Sequence, residues 1–220
     1  MHAAQVSLPQ WSQWLAWALA AGVLAACAPA LRAMLRGADG EGRRVLLLAT
    51  LALAAMRLFN TAALQGVLLH FLGAAIATLM FGAGVACWTM ALVSLAGVLL
   101  GATWHGWAMD FLATGALPVA VAALASWVAR TAAPRNIFTY VMLNAFGGAA
   151  LAMAASMLAK ALVTALLGGR TVAAYLAATP LMMFAEAFFA GTVMVLVVVY
   201  RPQWCRSFDD RLYLWPQRRM

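Results

Sequence analysis

Charged side chains are scarce in this sequence, and acidic ones are the scarcest. Only 9% of the 220 residues are charged, with 14 Lys and Arg against 6 Asp and Glu, whereas 66% are hydrophobic. Soluble domains carry about 25% charged residues, and a soluble fold of this length has too little interior for so many apolar side chains. The composition therefore excludes an ordinary soluble domain, and with it a soluble nucleic-acid-binding module.

Cysteines and enzymatic motifs are equally scarce. The three cysteines, Cys27, Cys87 and Cys205, have no CxxC spacing, so the sequence gives no support for a disulfide framework or a structural zinc site. It contains no Walker A, HExxH or GxSxG motif and no intramembrane pair of aspartates. We therefore predict that the protein is not an enzyme, and that any ATP hydrolysis it needs resides in a separate subunit.

Long continuous apolar runs, rich in Ala, Leu, Met and Gly, fill most of the chain. Transmembrane β-strands alternate in polarity over about ten residues, and these runs do not, so helices are the only structures that satisfy their backbone in lipid. We predict an all-α integral membrane protein with about seven transmembrane helices. They cover Trp11–Leu35, Val45–Ala63, Gly66–Phe81, Gly84–Thr103, Trp107–Ala129, Ile137–Leu167 and Ala174–Tyr200, of which the second and third are short.

Basic residues indicate the orientation. They cluster in the first loop, the fifth loop and the C-terminal tail, which lie on one side if there are seven spans: Arg32, Arg36, Arg43, Arg44; Arg130, Arg135; Arg201, Arg206, Arg211, Arg218, Arg219. Short cytoplasmic loops carry an excess of Lys and Arg. We therefore expect an outside N-terminus, a cytoplasmic C-terminus and a multi-pass protein of the inner (plasma) membrane, with a membrane domain at 1–205 and a basic cytoplasmic tail at 206–220.

This topology places all three histidines, His2, His70 and His105, near the outer face. Small residues share the helical stripe of His70, namely Gly66, Gly73, Ala74 and Ala77, and such stripes face other helices. His70 is therefore expected inside the bundle, either as a hydrogen-bonding residue between helices or as a functional group.

The N-terminal pair Met1 and His2 offers a second kind of chemistry. The terminal amine, the backbone amide nitrogen of His2 and its imidazole form a set of nitrogen donors that suits nickel, copper or cobalt. His105 and Asp110 form another candidate metal pair, but the tryptophans around them favour an interfacial aromatic belt with a helix cap.

Two charged residues, Lys160 and Glu186, lie inside the sixth and seventh predicted helices at comparable depth. A lone charge in the middle of a bilayer costs a few kcal/mol. We therefore predict that Lys160 and Glu186 form an intramembrane ion pair or share a polar cavity.

Three stretches resemble the CbiM/NikM family, the substrate-binding membrane component of energy-coupling factor ABC transporters for cobalt and nickel. They run from His70-Phe71-Leu72-Gly73-Ala74 to Gly82, from Phe138-Thr139-Tyr140 to Ala149, and from Glu186-Ala187-Phe188 to Tyr200-Arg201-Pro202. The chain departs from the family after Met1-His2, where Ala3-Ala4-Gln5 stands in place of a bulky apolar residue, and at Met109–Val121, where the family's Asn-rich segment is not recognisable.

The resemblance implies seven helices with the N-terminus outside. It also implies a transported Ni²⁺ or Co²⁺ held by the terminal amine, the second-position histidine and a later histidine, which match Met1, His2 and His70 here. The partners it implies are a transmembrane coupling subunit and cytoplasmic ATPases, with no resident cofactor. Two alternatives stay open: a haem-binding or redox membrane subunit that uses His70 and His105, and a membrane interaction or assembly protein that binds no metal.

Overall fold

The computed structural model describes residues 10–57, 61–64, 67–99 and 103–213, and these form a bundle of helices interrupted by a β-hairpin. Helix α1 spans Gln10–Gly37 and helix α2 spans Gly40–Met56. Asp39 caps α2, because its side-chain oxygen accepts a 2.7 Å hydrogen bond from the backbone N–H of Gly42. Such a cap satisfies one of the free N–H groups at a helix start, so it fixes the turn between the two helices.

The third predicted span, Gly66–Phe81, is where the structure differs from the sequence prediction. Strands β1 (Thr61–Leu64) and β2 (Val67–Leu69) form an antiparallel hairpin, and helix α3 is confined to Ala74–Phe81. With 8 residues, α3 is only about 12 Å long, well short of the roughly 30 Å hydrocarbon core. All of its residues are buried inside the bundle. The apolar run is therefore not a transmembrane helix of its own.

The other predicted spans agree more closely with the structure. Helix α4 spans Ala83–Leu99, α5 spans Trp104–Ala132, α6 spans Ile137–Leu166 and α7 spans Val172–Tyr200. Within the described part of the chain, α1, α5, α6 and α7 are long and apolar enough to cross a membrane, and α4 is a shorter apolar helix. The membrane-type helical fold is thus confirmed, whereas the number seven and the orientation of the termini stay predictions.

Small side chains fill the interior of the bundle, and large apolar ones cover its outside. Ala20, Ala86 and Ala190 are fully buried, while Phe184 and Leu166 expose more than two thirds of their surface. Lipid tails are as apolar as leucine, so helices in a membrane associate through close backbone packing at small residues. The arrangement is what a protein surrounded by lipid requires.

Helices α6 and α7 pack closely at a glycine. Gly191 of α7 faces the ring of Phe146, and a β-carbon at position 191 would overlap that ring. The absence of a side chain at this position is therefore what brings α6 and α7 together, and α7 carries the buried Glu186.

One end of the bundle gathers the segments that carry the basic loops. The Trp204 indole N–H donates a 2.7 Å hydrogen bond to Glu41 at the start of α2. Tyr213 lies close enough to Arg130 and Arg135, in the connection between α5 and α6, for their charges to act on its phenol. The three segments that the charge pattern assigns to one side of the membrane therefore meet at one end of the structure.

The segment after α7 folds back onto this end. The N–H groups of Arg206 and Ser207 donate to the carbonyls of Met80 and Leu79 at 3.0 and 3.1 Å, and thereby bond the last turn of α3. The fully buried Tyr140 hydroxyl lies 2.6 Å from the Ser207 hydroxyl and 3.0 Å from the Cys205 thiol. The boundary at 205/206 stays a prediction, but the first part of the predicted tail packs on the bundle.

Two aromatic rings complete this packing. Phe208 and Tyr213 meet the Tyr140 ring edge-on, each at a centroid distance of 5.0 Å, and they stack on each other at 5.2 Å. Burial raises the pKa of the Tyr213 phenol above its ordinary value, although Arg130 and Arg135 oppose this effect. Residues up to Tyr213 are therefore held against the helix ends.

We expect Gly191→Ala to destabilise the protein by about 1–3 kcal/mol, because overpacking forces neighbouring side chains and backbone to shift. Gly22→Ala is the matched control, since it also lies inside a long helix but a β-carbon there meets nothing within 4 Å. Thermal unfolding in detergent measures both. Equal melting temperatures for the two variants would contradict the close α6–α7 contact.

Candidate functional site

The segment from His70 to Gly73 links the hairpin to α3 and is held by a single carboxylate. Glu186, at the centre of α7 and 1% exposed, accepts hydrogen bonds from the backbone N–H groups of Leu72 and Gly73 at 2.9 and 2.7 Å. These N–H groups lie at the N-terminal end of α3, where backbone donors lack partners inside the helix and the helix dipole favours negative charge. Glu186 thus acts as a clamp on the segment that carries His70.

Gly73 gives this segment its shape. Its φ of 67° lies in the left-handed region, which glycine adopts without steric cost. A β-carbon at this position would also overlap the side chain of Leu53 from α2. The backbone at 72–73 can therefore turn both N–H groups towards Glu186 only because residue 73 has no side chain.

His70 itself has one ring nitrogen occupied. Its Nδ1 lies 3.0 Å from the Phe71 carbonyl oxygen, and because a carbonyl only accepts, the Nδ1–H donates. In the neutral ring the lone pair then resides on Nε2. A metal-ligating histidine typically donates its other ring N–H in this way. Phe71 packs its ring 5.4 Å from that of Phe189 on α7, which further fixes the carbonyl that orients His70.

A second set of polar side chains connects α2, α4 and α5. The Arg57 guanidinium, 8% exposed, forms a 2.7 Å salt bridge with Asp110 and donates a 3.2 Å hydrogen bond to the hydroxyl of Ser94. The guanidinium also lies beside Gly97 of α4. The sequence interpretation gave Arg57 no role, although an arginine at the end of an apolar run is itself a signal of a buried partner.

Lys160 of α6 lies within electrostatic range of Arg57, Asp110 and His70. We call Arg57, Ser94, Asp110, Lys160 and His70 the polar cluster. The cluster thus contains two basic side chains and one carboxylate near the histidine.

The predicted ion pair between Lys160 and Glu186 is not formed. Among the described residues, Arg57 and Asp110 form a salt bridge, whereas Lys160 and Glu186 do not. Glu186 instead accepts hydrogen bonds from backbone N–H groups with both carboxylate oxygens. The physical reason is that backbone donors at a helix start satisfy a buried carboxylate without requiring a second buried charge.

The remaining candidate ligands do not converge on His70 in the described residues. His105 is exposed on a 3₁₀ turn, Trp104–Gly106, and Asp110 is bonded to Arg57. Met1 and His2 lie outside the described residues. Within the part that is described, no three His, Cys, Asp or Glu side chains form a group that could hold a metal.

Comparison with known proteins adds one strong similarity. The family model described as the cobalt uptake substrate-specific transmembrane region, CbiM, matches residues 2–204. No curated protein and no solved structure matches the chain significantly.

We expect Glu186→Gln to loosen the segment at 70–73. The amide keeps one acceptor oxygen but turns an NH₂ group towards one of the two backbone donors, which costs about 1–3 kcal/mol. Hydrogen–deuterium exchange of the peptide containing Leu72 and Gly73 measures the effect. Thr192→Val, which removes an exposed hydroxyl on the same helix, is the control, and equal exchange in both variants would show that Glu186 is not the clamp.

We expect Asp110→Asn to destabilise the protein by about 1–3 kcal/mol, because it leaves the buried Arg57 charge without its partner. The side chain of Asp110 is 33% exposed, so the loss stays below the full cost of breaking a buried pair. Removing both charges in Arg57→Met/Asp110→Asn should recover part of the loss. Denaturant unfolding of the two single variants and the double variant gives the coupling energy. A coupling energy near zero would mean that the salt bridge does not contribute to stability.

Proposed function

Since the chain belongs to the CbiM family, the cobalt uptake substrate-specific transmembrane region, we propose that it is the substrate-binding membrane component of an energy-coupling factor transporter. Its proposed cargo is Co²⁺ or Ni²⁺. The metal is captured at the outer face, and a transmembrane coupling subunit with cytoplasmic ATPases then converts ATP hydrolysis into a rearrangement that exposes the metal to the cytoplasm. The chain itself performs no chemical reaction.

The observation that carries this proposal is the state of His70. Its Nδ1–H is bonded to the Phe71 carbonyl, so its Nε2 lone pair is directed to no partner in the described part of the chain. The clamp by Glu186 fixes the backbone on which it stands. Ligands held in position by their surroundings bind a metal with less loss of conformational freedom, which supports His70 as a ligand.

The other proposed ligands follow from the resemblance. The terminal amine at Met1, the amide nitrogen of His2 and the His2 imidazole complete a set of four nitrogen donors with His70. Nitrogen donors favour nickel, copper and cobalt over calcium and magnesium, which prefer oxygen. A deprotonated amide also brings a negative charge, which offsets the positive charges of the nearby polar cluster.

We further propose that the end of the bundle at which Trp204 meets Glu41 faces the cytoplasm. This end gathers the loops and tail rich in arginine, as the positive-inside rule requires. His70 lies beyond the opposite end of α3, so it belongs to the outer half of the protein. The protein would then lie in the inner (plasma) membrane with its arginine-rich end on the side of the cytoplasmic ATPases.

We expect His70→Ala to reduce Co²⁺ and Ni²⁺ affinity by at least about 100-fold, because a first ligand contributes at least as much as the outer-shell partners, whose loss costs about 10–100-fold. His105→Ala is the control, since that side chain is exposed. Isothermal titration calorimetry of purified protein with a free Met1 amine measures both. A second preparation with an N-terminal extension should lose the same affinity, because it removes the amine.

Four results would contradict this assignment. Equal metal affinity in the His70 variant and the wild type would exclude His70 as a ligand. Unchanged affinity in the extended protein would exclude the terminal amine. No metal binding by any form would favour the interaction-protein alternative, and a Soret band in the purified protein would favour the haem alternative.

A further inference from the structure

A groove without polar lining runs along the outside of the bundle between α2, α3 and α7. Its walls come from α2 (Val45, Leu48, Ala49, Ala52, Leu53, Met56), α3 (Ile76, Ala77, Met80, Phe81) and α7 (Phe189, Val193, Val197), and Trp204 closes one end. Its volume is about 330 Å³. Leu48 is 64% exposed, so the groove opens towards the surroundings of the bundle, which are lipid in a membrane.

The closed end of the groove carries two cations without carboxylate partners. Arg44, Leu48 and Ala52 are spaced four residues apart on α2 and therefore share one face of the helix. The Arg201 guanidinium lies over the Trp204 ring, 5.6 Å from its centroid. In the described part of the chain neither arginine forms a salt bridge, and both side chains are exposed.

Glu41 also lies at this end, and its charge offsets part of the positive charge of the two arginines. Glu41 accepts a hydrogen bond from the Trp204 indole N–H, which also fixes the ring against the groove. Tryptophan and arginine at the same level are typical of the boundary between hydrocarbon and headgroups. The apolar walls of the groove thus lie at the level of the hydrocarbon, and its cationic end lies at the level of the headgroups.

Exposure to lipid and the charge at one end indicate the kind of occupant. The groove opens along α2, where Leu48 is 64% exposed, so in a membrane hydrocarbon chains have direct access to it. A guanidinium binds a phosphate group through two parallel hydrogen bonds, and two exposed cations favour a lipid of net negative charge over a zwitterionic one.

We propose that this groove is a binding site for an anionic phospholipid, with one acyl chain between α2 and α7 and the phosphate at Arg44 and Arg201. The inference does not rest on the metal function, because the groove residues take no part in the polar cluster or in the hydrogen bonds of the clamp. Two of them touch the segment at 70–73, namely Leu53, which contacts position 73, and Phe189, whose ring packs on Phe71. A lipid in this position fills the space beside α3 that small residues such as Ala49 and Ala77 leave open.

Native mass spectrometry of the purified full chain, titrated with phosphatidylglycerol or phosphatidylcholine of identical acyl chains, tests the site. Each basic residue near a membrane surface contributes a gain of about five-fold for an anionic lipid. We therefore expect Arg44→Ala/Arg201→Ala to weaken phosphatidylglycerol binding roughly thirty-fold and to weaken phosphatidylcholine binding much less, because the choline group offsets the charge of its phosphate. Arg43→Ala, one position off the groove face, is the control and should have little effect.

Two tryptophan variants test the part of the site that would hold the acyl chain. Ala52→Trp fills the groove and should weaken the binding of both lipids, whereas Leu51→Trp, on a 56% exposed face of the same turn, should weaken neither. The proposal is overturned if both lipids bind equally, if the two tryptophan variants behave alike, or if soluble glycerol phosphate displaces the lipid. It is also overturned if Ala52→Trp prevents the binding of a coupling subunit and leaves lipid binding intact, because a helix of that subunit would then occupy the groove.

Discussion

The two hydrogen bonds from Leu72 and Gly73 to Glu186 are the constraint on which the rest of the candidate site depends. A buried carboxylate is costly unless several donors satisfy it. The two backbone N–H groups at the start of α3 would in turn lack acceptors without it, so the two hydrogen bonds satisfy both sides. The segment they fix carries His70, whose ring is oriented by the next carbonyl along the chain. Position 73 must be glycine for the geometry to exist, because of its left-handed backbone and its contact with Leu53.

The same helix that supplies Glu186 also controls the opposite end of α3. Directly after α7, Arg206 and Ser207 bond the carbonyls of Met80 and Leu79, and the Tyr140 cluster holds them there. α3 is therefore tied to α7 at its start and to the continuation of α7 at its end. A short buried helix fixed in this way moves as one body with α7, so the position of His70 is related to the arginine-rich end by packed structure and not by a flexible loop.

The sequence predicted much of the fold but less of the site, for different physical reasons. Apolar length identifies helices such as α5, α6 and α7, and the clustering of arginines in three segments agrees with their meeting at one end of the structure. The run at 66–81 misled the prediction because periodicity does not separate an extended apolar segment from a helical one. Glu186 was correctly singled out as a buried charge, but its partners are backbone groups, which no side-chain pattern reveals. The contact of Arg57 with Asp110 joins residues 53 positions apart, and only the tertiary structure brings them together.

The distribution of carboxylates around His70 bears on the kind of cation that the proposed site accepts. Glu186 uses both carboxylate oxygens on the backbone, and Asp110 forms a salt bridge with Arg57 through Oδ2, so the charge of each carboxylate is already engaged. Hard cations such as Ca²⁺ and Mg²⁺ depend on such oxygen ligands. The imidazole nitrogen of His70 remains as a metal ligand. Arg57 and Lys160 lie near it and repel cations, so a bound metal must gain strong bonds to its donors. The repulsion acts alike on every divalent cation and cancels in any comparison between them, so the selectivity of the proposed site would come from its nitrogen donors, which favour nickel and cobalt, and from the engaged carboxylates.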